Sequence, residues 1–157
     1  NCKNIYYDTT QRIGFPDEGE VLIPFYDTTV TPNRWNVERI LYGSRNTSAN
    51  TITVATGGRG YRGTTAAAHT VLTGTYSASG TTCTVTVTSA AAHNYVTGMK
   101  VFLDFTSGPT VEPINWGFDG EYAVTVTSGN AFTVEFPFSQ TSSGNVSILP
   151  EVRLRSL

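Results

Sequence analysis

His69 and His93 are the only histidines, and imidazole is the side chain best suited to proton transfer near neutral pH. Each histidine directly follows a run of three alanines, Ala66–Ala68 and Ala90–Ala92. A catalytic histidine needs a nucleophile and an orienting carboxylate beside it, and no nucleophile motif stands out among the many serines and threonines. We therefore predict that both histidines are structural corner residues whose ring nitrogens hydrogen-bond the backbone.

The carboxylates do not form a recognisable metal site or acid–base pair. Asp17, Glu18 and Glu20 lie close together in sequence, but their spacing lacks the pattern of a calcium loop and predicts a solvated turn. Asp104 and Asp119 lie near the ends of predicted strands, which favours turn capping over a glycosidase pair. The sequence thus predicts a protein without enzyme activity, metal or cofactor.

Composition excludes several other classes of protein. The chain has 157 residues and a formal net charge of −2, and only 14% of it is charged, so no basic surface for nucleic acid is expected. No apolar run approaches the roughly 20 residues that span a bilayer. Cys2 and Cys83 allow at most one internal bridge, and we predict two free thiols, as in a protein assembled in a reducing cytoplasm.

The glycine-rich stretch Gly57–Gly63 is the most distinctive motif. It lacks the lysine and the following helix of a phosphate-binding loop, and the acidic net charge disfavours RNA stacking on Tyr61. We predict a tight turn whose glycines supply positive φ, with Arg59 or Arg62 paired to a carboxylate such as Glu38 or to backbone carbonyls. Contact of Arg59, Tyr61 and Arg62 with a neighbouring subunit is the alternative.

Aromatic residues supply the other candidate contacts. Trp116 and Phe118 lie in the insert 110–118, where they could anchor an interface, stack on a sugar, or cover the open end of a small barrel. A surface contact, whether with a subunit or a sugar, and a cover for the barrel end both stay open. Further surface candidates are Tyr6, Tyr7, Phe15, Phe25, Tyr26 and Trp35.

Alternation of apolar and polar residues predicts an all-β fold. Thr84–Thr88 and Ala131–Phe136 place valines or phenylalanines on one face, and β-branched and aromatic residues favour strands. Ser128–Asn130 predicts a hairpin turn and Ser143–Asn145 a second turn. The predicted strands lie near residues 20–27, 35–43, 50–56, 71–76, 81–88, 99–106, 119–127, 130–137 and 145–149.

Two small β-sandwich or partly open barrel modules in tandem would accommodate these strands. The small polar residues 75–80 suggest a boundary, which gives an extended arm at 1–20, a first module at 21–78, and an immunoglobulin-like or barrel module at 79–157. The similar segments Thr65–Gly74 and Ser89–Gly98 suggest one connector used twice.

Two regions resemble bacteriophage proteins. The strand Asn50–Val54, the arginine–glycine turn, the small residues and His69 resemble a segment recurrent in phage tail and fibre proteins, within a likeness over residues 37–69. Residues 81–149 look like a β-module common in phage structural proteins, including those of marine and cyanobacterial phages. The second likeness is carried by Thr84–Thr88, Ala92–His93, Gly98–Gly108, Asp119–Thr125, Asn130–Val134 and Ser143–Ile148.

The resemblance implies a non-enzymatic virion protein, located in the tail or in a tail-fibre attachment and acting by protein–protein assembly. A capsid-decoration protein and a carbohydrate- or receptor-binding module are the alternatives. The expected partners are other virion proteins and further copies of the chain, as a trimer or hexamer, with a host-surface glycan under the receptor-binding alternative. Neither nucleic acid nor membrane is an expected partner.

Overall fold

The computed structural model describes residues 17–46, 51–89, 92–108, 119–150 and 152–155, and these residues form an all-β fold. The strands are β1 (Gly19–Asp27), β2 (Arg34–Asn46), β3 (Thr51–Val54), β4 (Leu72–Val87), β5 (Lys100–Phe105), β6 (Gly120–Ala123), β7 (Thr125–Ser128), β8 (Ala131–Pro150) and β9 (Arg153–Arg155). One 3-10 turn, Tyr61–Gly63, lies between β3 and β4. The predicted fold class is confirmed, and the described strands form two sheets that do not close into a barrel. No helix in the described ranges could cross a membrane.

The chain divides into two compact units. The second unit is Thr70–Glu151, and the first contains the described residues up to His69 together with those from Val152 onward. This division differs from the predicted boundary between residues 78 and 79, which falls inside β4. Of the predicted arm 1–20, residues 1–16 lie outside the described residues, and Gly19 and Glu20 belong to β1.

The first unit contains an antiparallel sheet in the order β3-β2-β1-β9. Alternation along β1 and β2 places every second side chain on one face, and cross-strand partners share that face. The core cluster on this face consists of Val21, Ile23, Ile40, Tyr42 and Ile52, with Val54 and Val152 packed against it. Because Ile23 pairs with Glu38, a carboxylate stands in the row of core side chains.

The second unit contains a sheet in the order β4-β8-β5-β6, with β7 paired to β8. The predicted strands 71–76 and 81–88 are joined in β4, and 130–137 and 145–149 are joined in β8. The predicted turn Ser143–Asn145 is therefore wrong, because these residues pair with β4. The predicted hairpin at Ser128–Asn130 is confirmed by the pairing of Ser128 with Ala131.

The second sheet curls so that the two ends of β4 meet. The Thr88 N–H donates to the Thr73 carbonyl at 2.9 Å, and a Cβ at Gly74 would lie 2.5 Å from the Thr86 carbonyl oxygen. Only glycine allows this approach. The curl encloses Cys83, Val85, Val101, Leu103, Phe132, Val134, Val146 and Ile148.

Cys83 lies in this core with a free thiol and no exposed surface, and burial raises its pKa to about 12. The predicted free state is thus confirmed for Cys83, whereas Cys2 lies outside the described residues.

Candidate functional site

The polar centre of the first unit is Glu38, whose side chain is fully buried. One carboxylate oxygen accepts hydrogen bonds from Arg59 Nε and from the Gly60 amide, the latter at 3.2 Å. The other oxygen accepts from Arg59 Nη2 at 2.8 Å, the Ala67 amide at 2.9 Å and His69 Nε2 at 2.7 Å. We call these five residues the Glu38 network.

The connector between β3 and β4, residues 55–71, brings four of these five residues to Glu38. Its first turn is fixed to β2, because Leu41 donates to the Gly58 carbonyl at 2.8 Å and accepts from Ala55 at 2.9 Å. A Cβ at Gly58 would lie 2.3 Å from the Leu41 carbonyl oxygen, so only glycine fits there. The predicted positive φ is confirmed at Gly57, Gly60 and Gly63.

Glu38 is ionised because its hydrogen bonds outweigh the cost of burial. Burial alone would raise the pKa of the carboxyl, but the bonds from Arg59, Ala67, His69 and Gly60 lower it to about 2. Since an ionised carboxylate only accepts hydrogen bonds, His69 Nε2 must carry the proton that it shares with Glu38. The ionised Glu38 carboxylate thereby holds the connector on the sheet through its hydrogen bonds.

The two arginines of the glycine-rich turn have different environments. Of the pairings predicted for Arg59 or Arg62, the structure shows Arg59 paired with Glu38, and Arg59 also donates to the Ala67 carbonyl. Arg62 makes no such pair among the described residues; its guanidinium lies 5.5 Å from the centre of the Tyr61 ring. Arg62 is exposed and has a left-handed backbone, with φ of 54°. The structure thus separates a half-buried arginine that is paired with Glu38 from an exposed one within four residues.

His69 differs from its predicted role. We expected its ring nitrogens to bond the backbone, but Nε2 bonds the Glu38 carboxylate instead. The ring packs edge-on against Phe25, with centroids 6.0 Å apart, and buried Nδ1 has no hydrogen-bond partner in the described part of the chain. The prediction failed because the carboxylate lies 31 residues away in sequence. The available signal was the alternation that aligns Glu38 with Ile40 and Tyr42.

His93 confirms the predicted corner role. Its Nε2 lies 3.0 Å from the Ser128 carbonyl oxygen, and its Nδ1 accepts from the Tyr95 amide at 2.9 Å. The ring stacks on Tyr95 and meets Phe132 edge-on at 5.6 Å. The two similar segments therefore place their histidines differently: both pack against a phenylalanine edge, but His69 bonds a side chain and His93 only the backbone.

The acidic residues near the start of β1 are only partly solvated. Asp17 is 87% exposed and pairs with Arg45 at 2.7 Å, and Glu18 is exposed, as a solvated turn requires. The prediction is wrong for Glu20, whose side chain is only 4% exposed and pairs with Arg39 at 3.3 Å. β1 begins at Gly19, so Glu20 lies within the sheet and not in the solvated turn that precedes it.

The predicted capping role of the later carboxylates holds for one of the two. Asp119 accepts a hydrogen bond from the Phe105 amide at 2.8 Å, at the end of β5, which confirms it as a cap. Asp104 lies inside β5 and pairs with Ser147, so it does not cap a turn. No group of three or more metal-ligating side chains occurs in the described ranges.

The predicted aromatic contacts are described only in part. Tyr26 and Trp35 face each other across β1 and β2 with ring centroids 5.7 Å apart. The pair of greatest interest, Trp116 and Phe118, lies outside the described residues, as do Tyr6, Tyr7 and Phe15. Their role at an interface or on a glycan therefore stays a prediction.

Comparison with known proteins found no matching family model, no similar curated protein and no similar solved structure. Chemically, the Glu38 network is a saturated ionic site: five donors occupy one carboxylate, and Arg59, His69 and two backbone amides supply them. Such an arrangement stabilises a connector and leaves the carboxylate with little capacity to act as a base.

Proposed function

We propose that this chain is a structural protein of a bacteriophage virion, part of the tail or of a tail fibre, and that it acts by assembly with other virion proteins. The observation that carries this proposal is the Glu38 network. Glu38 and His69, a carboxylate and an imidazole of the kinds that a hydrolase uses, hold a connector on the sheet there. The likeness of residues 37–69 and 81–149 to phage β-modules supplies the class of protein.

The other groups capable of chemistry support the same conclusion. His93 bonds only the backbone, and Cys83 is a fully buried thiol whose high pKa keeps it protonated and unreactive. A structural protein needs rigid connections between its strands, and both histidines supply them.

Edge strands offer a means of assembly. In the described residues, β3 and β9 are the edges of the first sheet, and the second sheet ends at β4 and β6. An edge strand presents backbone N–H and C=O groups that can pair with a strand of another chain. Small β-modules also bury limited apolar area on their own, so burial between subunits would add stability.

Quantitative mass spectrometry of purified particles of the virus that encodes the chain tests this proposal. We expect peptides of the chain in washed particles, at a copy number far below that of the major capsid protein. A copy number comparable to that of the capsid protein would favour the capsid-decoration alternative. Absence from the particles, despite detection in the infected cell, would overturn the virion assignment.

A further inference from the structure

The strand β9 completes the sheet of the first unit after the chain has passed through the second. It pairs antiparallel with Glu20–Leu22 of β1, and Val152, just before it, packs against the core cluster of the first unit. β1 has nine residues and β9 has three, so β9 adds only a short ladder to the edge of β1. A short edge strand opens readily, because few backbone hydrogen bonds and little apolar area hold it.

The linker into β9 is also short. β8 ends at Pro150 and β9 begins at Arg153, so only Glu151 and Val152 connect the two strands. The division between the two units falls between these two residues. Short linkers favour exchange of the element that follows them between copies of a chain, since the closed and exchanged forms make the same contacts and differ mainly at the linker.

The contact that β9 makes specifies the strand that can replace it. Arg155 lies opposite Glu20 and Arg153 lies opposite Leu22, while Val152 supplies an apolar side chain to the core cluster. A second copy of the chain carries the same segment, so an exchanged β9 keeps every one of these pairings. The edge of β1 is therefore complementary to a second copy.

The charges of the two units favour the approach of two copies. By sequence, the first unit contains nine lysines and arginines against six aspartates and glutamates, whereas the second contains one against six. Their formal charges are thus +3 and −5, although the whole chain carries only −2. The first unit of one copy therefore attracts the second unit of another, which raises the rate of encounter.

We propose that β9 of one copy pairs with β1 of a second copy, in the register that the two strands have within one chain. When two copies donate β9 to each other, the contact closes a dimer, and when each copy donates to the next, it closes a ring. This inference rests on the proposed assembly function and names the strand through which copies join.

Cysteines on opposite sides of the contact test the exchange. In a Cys2→Ser background, one variant carries Leu22→Cys and another carries Arg153→Cys, at positions directly opposite in the register. Such positions in antiparallel strands lie within reach of a disulfide. The two variants are incubated together and oxidised, and mass spectrometry of proteolytic fragments identifies the disulfide between positions 22 and 153. Neither variant can form this disulfide within one chain.

We expect the yield of this disulfide to exceed the background from random collision at least about tenfold, because pairing of the strands raises the effective concentration of the two thiols. The matched control uses Arg34→Cys in place of Arg153→Cys, which removes the same charge from an exposed residue that lies opposite Asp27 and not Leu22. Cys83 does not compete, because it has no exposed surface. Equal yields in the two mixtures would overturn the inference.

A double variant verifies the register. Leu22→Cys combined with Arg153→Cys should form the disulfide within one chain at low concentration and between chains as the concentration rises. Thermal unfolding of every variant verifies that it is folded. A folded double variant that forms no such disulfide would overturn the inference, because the pairing of β9 with β1 would itself be absent.

Light scattering over a concentration series measures the association without cysteine substitutions. We expect a mass that rises with concentration above the 16.9 kDa of one chain. A short glycine–serine insertion between Glu151 and Val152 lets β9 fold back on its own chain and should shift the mass toward that of one chain. The same insertion after Arg155 leaves the linker unchanged and should have no such effect. A mass of one chain at all concentrations would overturn the inference.

The two proposals fail in different experiments. If washed particles contain the chain but the 22–153 disulfide stays at the background yield, the virion role stands and the exchange of β9 is rejected. If the disulfide forms as expected but the particles lack the chain, the exchange stands as self-association and the virion role is rejected.

Discussion

At the scale of single residues, Glu38 shows how a charge can occupy a core position. Transfer of an isolated carboxylate into a sheet core would cost several kcal/mol, and each unmet lone pair would add to that cost. Here the two oxygens accept five hydrogen bonds, three from side chains and two from backbone amides. These hydrogen bonds offset the cost of burying the carboxylate, and they also join the connector to β2.

Removal of the Glu38 charge should therefore destabilise the first unit. In Glu38→Gln, an amide NH2 group replaces an oxygen that accepts hydrogen bonds, so this nitrogen faces other donors. Arg59 also loses its counter-ion. We expect a loss of about 3 kcal/mol in the free energy of unfolding at neutral pH. Urea unfolding measures it, with Glu18→Gln as an exposed control that should be within about 0.5 kcal/mol of the unsubstituted chain.

The same carboxylate predicts a dependence on pH. The folded pKa of Glu38, about 2, lies below its ordinary value of 4.5, so its contribution is complete above about pH 5 and is lost as pH falls through 2. The shift corresponds to about 3 kcal/mol. The difference in unfolding free energy between the unsubstituted chain and Glu38→Gln should therefore narrow as acid is added. A difference that stays constant from neutral pH to pH 2 would contradict this explanation.

At the scale of elements, the connector depends on one close approach. Gly58→Ala would place a Cβ 2.3 Å from the Leu41 carbonyl oxygen, and this backbone atom cannot move without disturbing β2. We expect a loss of about 1–3 kcal/mol, as for other overpacked sites. Gly129→Ala is the matched control, because a Cβ there meets nothing within 4 Å. Equal urea midpoints for the two variants would show that the connector adjusts freely.

The sequence predicted the existence of most strands but not their continuity. The sequence predicted β1, β2 and β5 to within a few residues, as strands 20–27, 35–43 and 99–106. It divided β4 at Ser77–Gly80 because small polar residues favour turns when judged locally. Those residues pair in register with residues 140–143 of β8, and a partner so distant in sequence cannot be recognised from local composition.

The candidate site was predictable to a similar extent. The glycine-rich turn predicted that Arg59 or Arg62 would pair with a carboxylate such as Glu38 or with backbone carbonyls, and the structure shows the pair of Arg59 with Glu38. The role of His69 was missed because it depends on the path of the connector, which no local pattern specifies. His93 was correctly predicted because its partners are backbone groups, which any compact corner supplies.

At the scale of the whole molecule, the second unit is inserted into the first. The first sheet begins with β1 and is completed by β9, which pairs with β1 only after the chain has passed through Thr70–Glu151. Val152 also packs against the core cluster of the first unit. The stability of the first unit thus depends on chain from both sides of the insertion, whereas the second unit is continuous in sequence.

Truncation after residue 151 should therefore weaken the first unit selectively. Loss of β9 and Val152 removes apolar burial and an edge pairing, and we expect a decrease of about 1–2 kcal/mol in the stability of that unit. Trp35 fluorescence in a Trp116→Phe background reports the first unit, and thiol labelling of Cys83 in a Cys2→Ser background reports the second. A chain that ends at Arg155 is the control.

The two reporters should respond differently because Cys83 is labelled only when the second core opens. Its thiol is fully buried with a pKa of about 12, so the folded state offers the reagent neither access nor thiolate. Truncation should lower the urea midpoint seen by Trp35 and leave the rate of Cys83 labelling unchanged. Faster labelling of Cys83 after truncation would show instead that the second unit needs β9 for its stability, and would reject the independence of the two cores.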